Sequence, residues 1–211
     1  MIFDPRGLEW MEYTGEKLTL YEGSPGNRSK IIKVCVASSG KPSFQDKKHQ
    51  LLQNMGPTPE GKYTVDLRPD PNREAKSELR GIDDPILKGG EGIEKIPEDE
   101  ILRDIWGDWR MRLKLKPGEK KNKRNNMYLH NSNAGSTSGC IDTCDELLAE
   151  VKKYRDSGAA EIEVWVNYTD PTTGGHYKDP SFYQPGIDIE PISPEIDVPV
   201  RLPELPGIED T

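Results

Sequence analysis

The sequence predicts a mostly β domain, a β-sandwich or an open barrel, with one main helix. Short segments that alternate apolar and polar residues recur along the chain, and glycine- and proline-rich turns separate them; this pattern is typical of β architectures. Only one segment, which follows Cys140, has the apolar spacing of a longer amphipathic helix. The 18 prolines and 20 glycines among 211 residues indicate a loop-rich chain.

The first third of the chain carries four predicted strands. Residues 8–22 alternate well enough for two short strands that turn at Thr14 and Gly15. Residues 30–38 form the clearest early strand, and we interpret Cys35 at its centre as a packed core residue. Another strand is predicted over residues 62–67.

The middle of the chain combines a polar insertion with a helix and a strand. Residues 68–100 are rich in proline and glycine, which favours a surface loop, with a mobile lid as the alternative. Residues 97–106 predict a short helix with proline in its first turn. Residues 109–115 alternate strictly and predict a strand whose inward side chains are Trp109, Met111, Leu113 and Leu115.

The segment after Cys140 predicts the main helix and a last strand. Asp142 or Thr143 is the expected helix cap, and Gly158 is the expected end. Residues 161–168 then alternate as a strand. The apolar stripe of the helix consists of Leu147, Leu148, Val151 and Tyr154, and the inward residues of the strand are Ile162, Val164 and Val166.

The amino-acid composition of the chain changes at residue 170. Residues 170–211 contain nine acidic residues against two basic ones, which is nearly the whole formal net charge of −8, together with many prolines. Such a composition cannot bury a core of its own and predicts an extended arm. We therefore expect a domain over residues 1–169 and an acidic, proline-rich extension over residues 170–211.

Composition also excludes several classes of function. The net charge of −8 argues against nucleic acid as the main partner. No stretch approaches the roughly 20 apolar residues of a membrane helix, and the first residues lack the basic start and apolar run of a signal peptide. Three cysteines do not form an even disulfide framework, so synthesis in a reducing cytoplasm is predicted.

One stretch combines a base with a nucleophile. His130 follows an apolar segment that predicts a buried strand, and a loop of small polar residues leads to Cys140. Because a helix is predicted just after Cys140, we expect the thiol pKa to fall. Ser138 and Gly139 would form a tight turn at which the backbone N–H groups of Gly139 and Cys140 meet an oxyanion. The pair predicts covalent acyl transfer.

Each of these residues also has an interpretation without catalysis. His130 and Cys140 could each be ordinary buried residues of a core. Cys144 lies four residues after Cys140, but only His130 accompanies the two thiols, so neither a metal site nor a cofactor is predicted. The basic run over residues 114–124 is expected to be a solvated turn; in the alternative, Arg124 grips an acidic group of a substrate.

These motifs resemble a known family. His130, a short loop and Ser138-Gly139-Cys140-Ile141 resemble the signature of the YkuD-type L,D-transpeptidases, above all the branch delivered as antibacterial effectors by type VI secretion systems. The segment Gly-Pro-Thr-Pro-Glu-Gly-Lys-Tyr at residues 56–63 is similar to a segment of that branch. Arg124 precedes His130 by six residues, as in relatives. The likeness spans roughly residues 10–148, and it departs from the family at Asn131 and Asp142.

The resemblance implies the L,D-transpeptidase fold and a thiol enzyme that acts on peptidoglycan stem peptides. Transpeptidation, D-amino-acid exchange and L,D-carboxypeptidase cleavage all remain open, because they differ only in what attacks the thioester. A backbone carbonyl is expected to orient the histidine, with Asp142 as the alternative. The expected catalytic residues are Cys140, His130, Gly139 and Ser138, and the expected substrate-binding residues are Arg124, Tyr128, Asn131 and Trp109.

The resemblance also implies partners and a place of action. An effector would have a cognate immunity protein and a component of the secretion apparatus as partners. It would be made in the cytoplasm without a signal peptide and would act in the periplasm of a target bacterium. The alternative function is that of a catalytically silent relative, which binds a partner through its acidic arm.

Overall fold

The computed structural model describes residues 8–68, 92–96, 100–119, 124, 126–132 and 135–169. The predicted arm at 170–211, most of the insertion at 68–100 and the start of the helix predicted from Pro97 lie outside the described residues.

Within these residues the chain forms eleven strands and two α-helices. In chain order they are β1 (Glu9–Tyr13), β2 (Lys17–Glu22), β3 (Lys30–Val36), β4 (Ser38–Ser39), β5 (Gly61–Asp66), β6 (Ile93–Lys95), α1 (Glu100–Trp106), β7 (Trp109–Arg112), β8 (Lys114–Leu115), β9 (Tyr128–His130), β10 (Ile141–Asp142), α2 (Asp145–Asp156) and β11 (Glu161–Val166). The strands form a six-stranded sheet of order β3-β2-β1-β11-β5-β8 and a five-stranded sheet of order β4-β10-β9-β7-β6.

The mostly β class with one main helix is confirmed, although the described residues also contain strands that the sequence did not predict. The additional ones are two or three residues long, such as β4, β8 and β10. So short a strand carries too little alternation to be recognised in a sequence, because it contains at most one full period of the two-residue repeat.

One hydrophobic cluster joins both sheets and α2. The helix contributes the predicted stripe, whose four side chains are all buried, so this prediction is confirmed. The last strand contributes the three inward residues that were predicted. Each buried aliphatic side chain of this kind stabilises the fold by about 1.5–3 kcal/mol.

The segment predicted as one strand over residues 109–115 divides between the two sheets. Strand β7 pairs with β6 and β9 in the five-stranded sheet, whereas β8 pairs with β5 in the six-stranded sheet. Leu113 lies between them, is buried, and donates its N–H to the carbonyl of Met127 at 2.9 Å. The alternation continues through this crossing, which explains why the sequence shows a single strand.

Two of the three cysteines form a disulfide, so the interpretation of Cys35 as a merely packed residue was wrong. Cys35 in β3 pairs with Cys144, the N-cap residue of α2, and their Cα atoms lie 5.9 Å apart, within the usual range for a disulfide. The partners are 109 residues apart in the chain, and cysteine spacing does not reveal connectivity over such a distance. Cys140 is the free cysteine.

Within the described residues, neither helix has the combination of length and apolar character that a bilayer crossing requires.

The disulfide should contribute measurably to stability. Cys35→Ser/Cys144→Ser removes a cross-link over 109 residues, so we expect the free energy of unfolding to fall by about 2–4 kcal/mol in urea titrations. Dithiothreitol should lower the stability of the parent protein and leave the double variant unchanged. Three titratable thiols in the denatured, non-reduced parent would contradict the pairing.

Candidate active site

The parallel pairing of β9 with β10 sets the geometry of the site. Asp142 lies opposite His130 in the register, and paired residues point their side chains to the same face of a sheet. His130 Nδ1 and Asp142 Oδ1 are accordingly 3.5 Å apart. Cys140 immediately precedes β10, and the Tyr128 main-chain N–H faces its thiol. Strand spacing then places the Cα atoms of Cys140 and His130 diagonally, about 8 Å apart, on neighbouring strands.

The same face of the sheet carries a row of charged side chains. Glu94 pairs with Arg110, Arg110 with His130, and His130 with Asp142, on four adjacent strands. The row thus places a cation on one side of the imidazole and a carboxylate on the other. The opposite face of these strands carries the core residues Ile93, Met111, Leu129 and Ile141.

His130 is only 3 % exposed, and its surroundings favour the neutral imidazole. Burial lowers the pKa of His130; the Asp142 carboxylate opposes this change, and the Arg110 guanidinium adds to it. The ring of Trp106 meets the imidazole edge to face, with centroids 5.4 Å apart. Because the neutral form accepts a proton, His130 can act as a general base at neutral pH.

The surroundings of Cys140 favour the protonated thiol, so the expected fall in its pKa was wrong. Burial raises the pKa of Cys140 to about 11, although the Tyr128 N–H and the Arg124 and Arg110 guanidinium groups each lower it. The helix does not help, because α2 begins at Asp145, beyond β10, and Cys144 occupies its N-cap. The raised pKa of the thiol and the lowered pKa of the imidazole both favour the neutral pair over an ion pair.

Hydroxyl groups fix the turn that precedes Cys140. Gly139 adopts φ +113°, and its N–H donates to Thr137 Oγ1 at 3.1 Å. Thr137 in turn donates to the Cys140 carbonyl at 2.6 Å, and Thr58 Oγ1 donates to the Gly139 carbonyl at 2.7 Å. Of the two N–H groups expected to meet an oxyanion, that of Gly139 is thus engaged, which leaves the N–H of Cys140.

Arg124 joins the two segments that carry the family resemblance. Its Nη1 donates to the carbonyl oxygens of Gln50, Gly56 and Pro57 at 2.9, 2.8 and 2.6 Å. Its Nη2 donates to the Ser138 carbonyl at 3.3 Å. The guanidinium therefore holds the Gly-Pro-Thr-Pro segment against the turn that precedes Cys140. A substrate contact of Arg124 stays a prediction, but its terminal nitrogens are bonded to backbone in this structure.

The remaining predicted residues separate into two groups. Tyr128 lies on the site face, where its buried ring meets Trp106 with centroids 5.3 Å apart. Asn131 is buried and bonded within the protein: its Oδ1 accepts the Trp109 N–H at 2.9 Å, and its Nδ2 donates to Asp145. The Trp109 side chain alternates to the opposite face from Arg110 and lies under Lys152 Nζ, 4.0 Å from its ring centroid. The structure does not bring Trp109 to the thiol.

Sequence patterns did not single out Thr58, Thr137, Trp106, Glu94 or Arg110. Thr58 belongs to the Gly-Pro-Thr-Pro segment, which is the one available signal. The others lie outside any recognisable motif, and only strand register and chain crossing bring them to the site.

Metal ligation has one geometric candidate within the part of the chain that the structure describes. The sulfurs of Cys35 and Cys144 and a carboxylate oxygen of Glu146 lie within 4.8 Å of one another. Because the two sulfurs form the disulfide, they offer no thiolate to a metal ion.

No protein-family model matches the sequence, and no curated protein matches it. Among solved structures, the chain is similar to Bd1075 of Bdellovibrio bacteriovorus, with a TM-score of 0.43 and 14% identity over 75% of this chain and 48% of that one. It is also similar to L,D-transpeptidase 1 of Mycobacterium tuberculosis, with a TM-score of 0.34 and 14% identity over 75% of this chain and 62% of that one. The chain thus spans less than two thirds of the length of either protein.

Gly139→Ala tests the packing of the turn. An added Cβ would lie 1.7 Å from Arg124 Nη2, so Arg124 would have to give up its hydrogen bonds to backbone carbonyls. Gly158→Ala is the matched control, because Gly158 has a similar φ of +106° but nothing within 4 Å of an added Cβ. We expect Gly139→Ala to cost about 1–3 kcal/mol more in urea unfolding than Gly158→Ala. Equal losses would contradict the role of Arg124 in holding the turn.

The pH dependence of alkylation tests the state of the thiol. With a pKa of about 11, about one Cys140 in ten thousand is ionised at pH 7, so iodoacetamide should react slowly and its rate should rise about tenfold per pH unit from pH 8 to pH 10. Cys140→Ser gives the background rate. A plateau reached below pH 8.5 would show that the thiol is activated in the free protein.

Proposed function

We propose that this chain is a cysteine-dependent acyl transferase of the L,D-transpeptidase type that acts on peptidoglycan stem peptides. The observation that carries the proposal is the row on β9 and β10, where an imidazole lies between Asp142 and Arg110 and a free thiol lies diagonally from it. A nucleophile, a base and a group that orients the base are the parts that covalent acyl transfer requires.

The steps follow from the positions of these groups. His130 Nδ1 lies 3.5 Å from Asp142 Oδ1 and makes no hydrogen bond within the described residues; in the proposed mechanism the Asp142 side holds Nδ1–H, and Nε2 accepts the thiol proton. The sulfur then attacks the peptide carbonyl carbon, and the Cys140 N–H stabilises the negative oxygen. As the C–N bond breaks, His130 returns the proton to the leaving amine. Water or an amine next attacks the thioester and restores the thiol, which gives hydrolysis or transfer, respectively.

The substrate class rests on the family resemblance. Its two sequence matches, the Gly-Pro-Thr-Pro segment and the Ser-Gly-Cys-Ile segment, lie far apart in the chain. The Thr58 hydroxyl and the Arg124 guanidinium connect them directly. Contact between the two segments supports their origin in one inherited site. The peptide bond cleaved would be the one that follows the L-centre of a diamino acid.

The place of action is part of the proposal. Disulfides persist in oxidising compartments and are rare in the cytoplasm, and Cys35 is paired with Cys144. This pairing supports action in the periplasm of a target bacterium after export. An immunity protein and a secretion component would be the partners of such an effector.

Incubation with purified stem tetrapeptides followed by mass spectrometry tests the function. The parent protein should release or exchange the terminal D-amino acid, and Cys140→Ala should lower the rate about a thousandfold or more. Circular dichroism verifies that the variant is folded, and a carbapenem should form a mass adduct on the parent protein and none on Cys140→Ala. Unchanged peptides together with an absent adduct would refute the enzyme and favour a binding module.

A further inference from the structure

Arg110 is a buried cation whose hydrogen-bonding capacity is only partly used. Its side chain is fully buried, and its Nε donates to Glu94 Oε2 at 2.6 Å. Its two terminal nitrogens, Nη1 and Nη2, have no hydrogen-bond partner within the described part of the chain. Unpaired donors on a buried charge are costly, and in native structures they call for an explanation such as a ligand that completes the site.

The unused nitrogens belong to the catalytic face. Arg110 is the direct cross-strand neighbour of His130, and its charge acts on both His130 and Cys140. The ring of Trp106 covers this region: it lies 4.5 Å from the guanidinium carbon and also contacts the His130 ring. The Tyr128 ring also lies near the guanidinium, with its centroid 5.4 Å from the guanidinium carbon, so a ligand reaches Arg110 only when an aromatic ring moves.

The chemistry of the reaction identifies the ligand. His130 must protonate the leaving amine, so the nitrogen of the leaving residue lies against the imidazole. In an α-amino acid, the carboxyl carbon is two bonds from that nitrogen, about 2.5 Å away. Its carboxylate therefore falls on one side of His130 or the other. Asp142 repels it on one side, and Arg110 attracts it on the other.

We propose that Arg110 is a carboxylate subsite that binds the C-terminal carboxylate of the leaving residue through Nη1 and Nη2. Two parallel N–H groups match the two oxygens of a carboxylate. The subsite selects donor peptides that end one residue after the scissile bond, and it offers the same place to a free D-amino acid that attacks the thioester. This inference rests on the proposed acyl transfer.

Peptide binding tests the subsite independently of turnover. In a Cys140→Ala background, calorimetry compares a stem tetrapeptide that ends in a carboxylate with the same peptide that ends in a carboxamide. We expect the carboxamide to bind about tenfold more weakly or worse, because a buried hydrogen-bonded charge is lost. Adding Arg110→Gln should weaken the binding of the acid peptide to the level of the carboxamide and so abolish the difference in affinity between the two peptides.

Two further variants separate recognition from folding. Arg112→Gln is the matched control, because Arg112 lies on the same strand two residues away and bonds Asn126; it should retain the preference for the acid. Arg110→Gln/Glu94→Gln replaces the buried ion pair with two amides and leaves no uncompensated carboxylate. It should be folded by circular dichroism and should lack the preference.

The subsite would be overturned if the preference for the acid peptide persisted in the Arg110→Gln variant. It would also be overturned if the Cys140→Ala protein bound the acid and amide peptides equally, or bound neither. Turnover by the intact protein is scored separately. If the intact protein prefers the acid peptide through Arg110 but does not cleave it, the proposed acyl transfer is contradicted, and Arg110 is still shown to bind the peptide carboxylate.

Discussion

The parallel pairing of β9 with β10 is the constraint on which the site depends. Two adjacent parallel strands require a crossover, which commonly takes a dozen or more residues and a helix. Here ten residues separate the two strands, and the described ones, 131–132 and 135–140, contain no helix. Such a short crossover needs anchors, and Thr137, Thr58 and Arg124 supply them by bonding its backbone. The contacts that close the chain also fix the thiol relative to the imidazole.

Burial outweighs every local charge in setting the chemistry of the thiol. The N–H of Tyr128 and two guanidinium groups favour the thiolate, yet the pKa of Cys140 rises from 9.0 to about 11. A rise of this size corresponds to about 3 kcal/mol against ionisation. The protonated thiol is consequently a weak nucleophile until a base removes its proton. Because the pKa of His130 is lowered by burial, the imidazole is neutral and able to accept it.

Two arginines beside the site show how context divides one residue type between two tasks. Arg124 lies among backbone carbonyls, and its terminal nitrogens are bonded to them. Arg110 lies among aromatic rings and one carboxylate, and no described residue accepts a hydrogen bond from either of its terminal nitrogens. The first arrangement supports a turn, and the second leaves a buried cation for the carboxylate subsite that we propose. From the sequence we predicted a substrate contact for Arg124, because it lies in a run of basic residues. The burial of Arg110 cannot be read from the sequence.

What the sequence determined by itself is the local part of the structure. Alternation marked the hairpin of β1 and β2 and the strand β11, and the apolar stripe marked α2, because each depends on neighbours a few residues apart. Spacing also drew attention to His130 and Cys140 as a pair. The tertiary structure alone decided that Asp142 lies beside the imidazole, that Cys35 meets Cys144, and that Arg110 stands beside His130. These contacts join segments that are distant in the chain or depend on strand register. The thiol pKa likewise follows from burial, which is a property of the packed molecule.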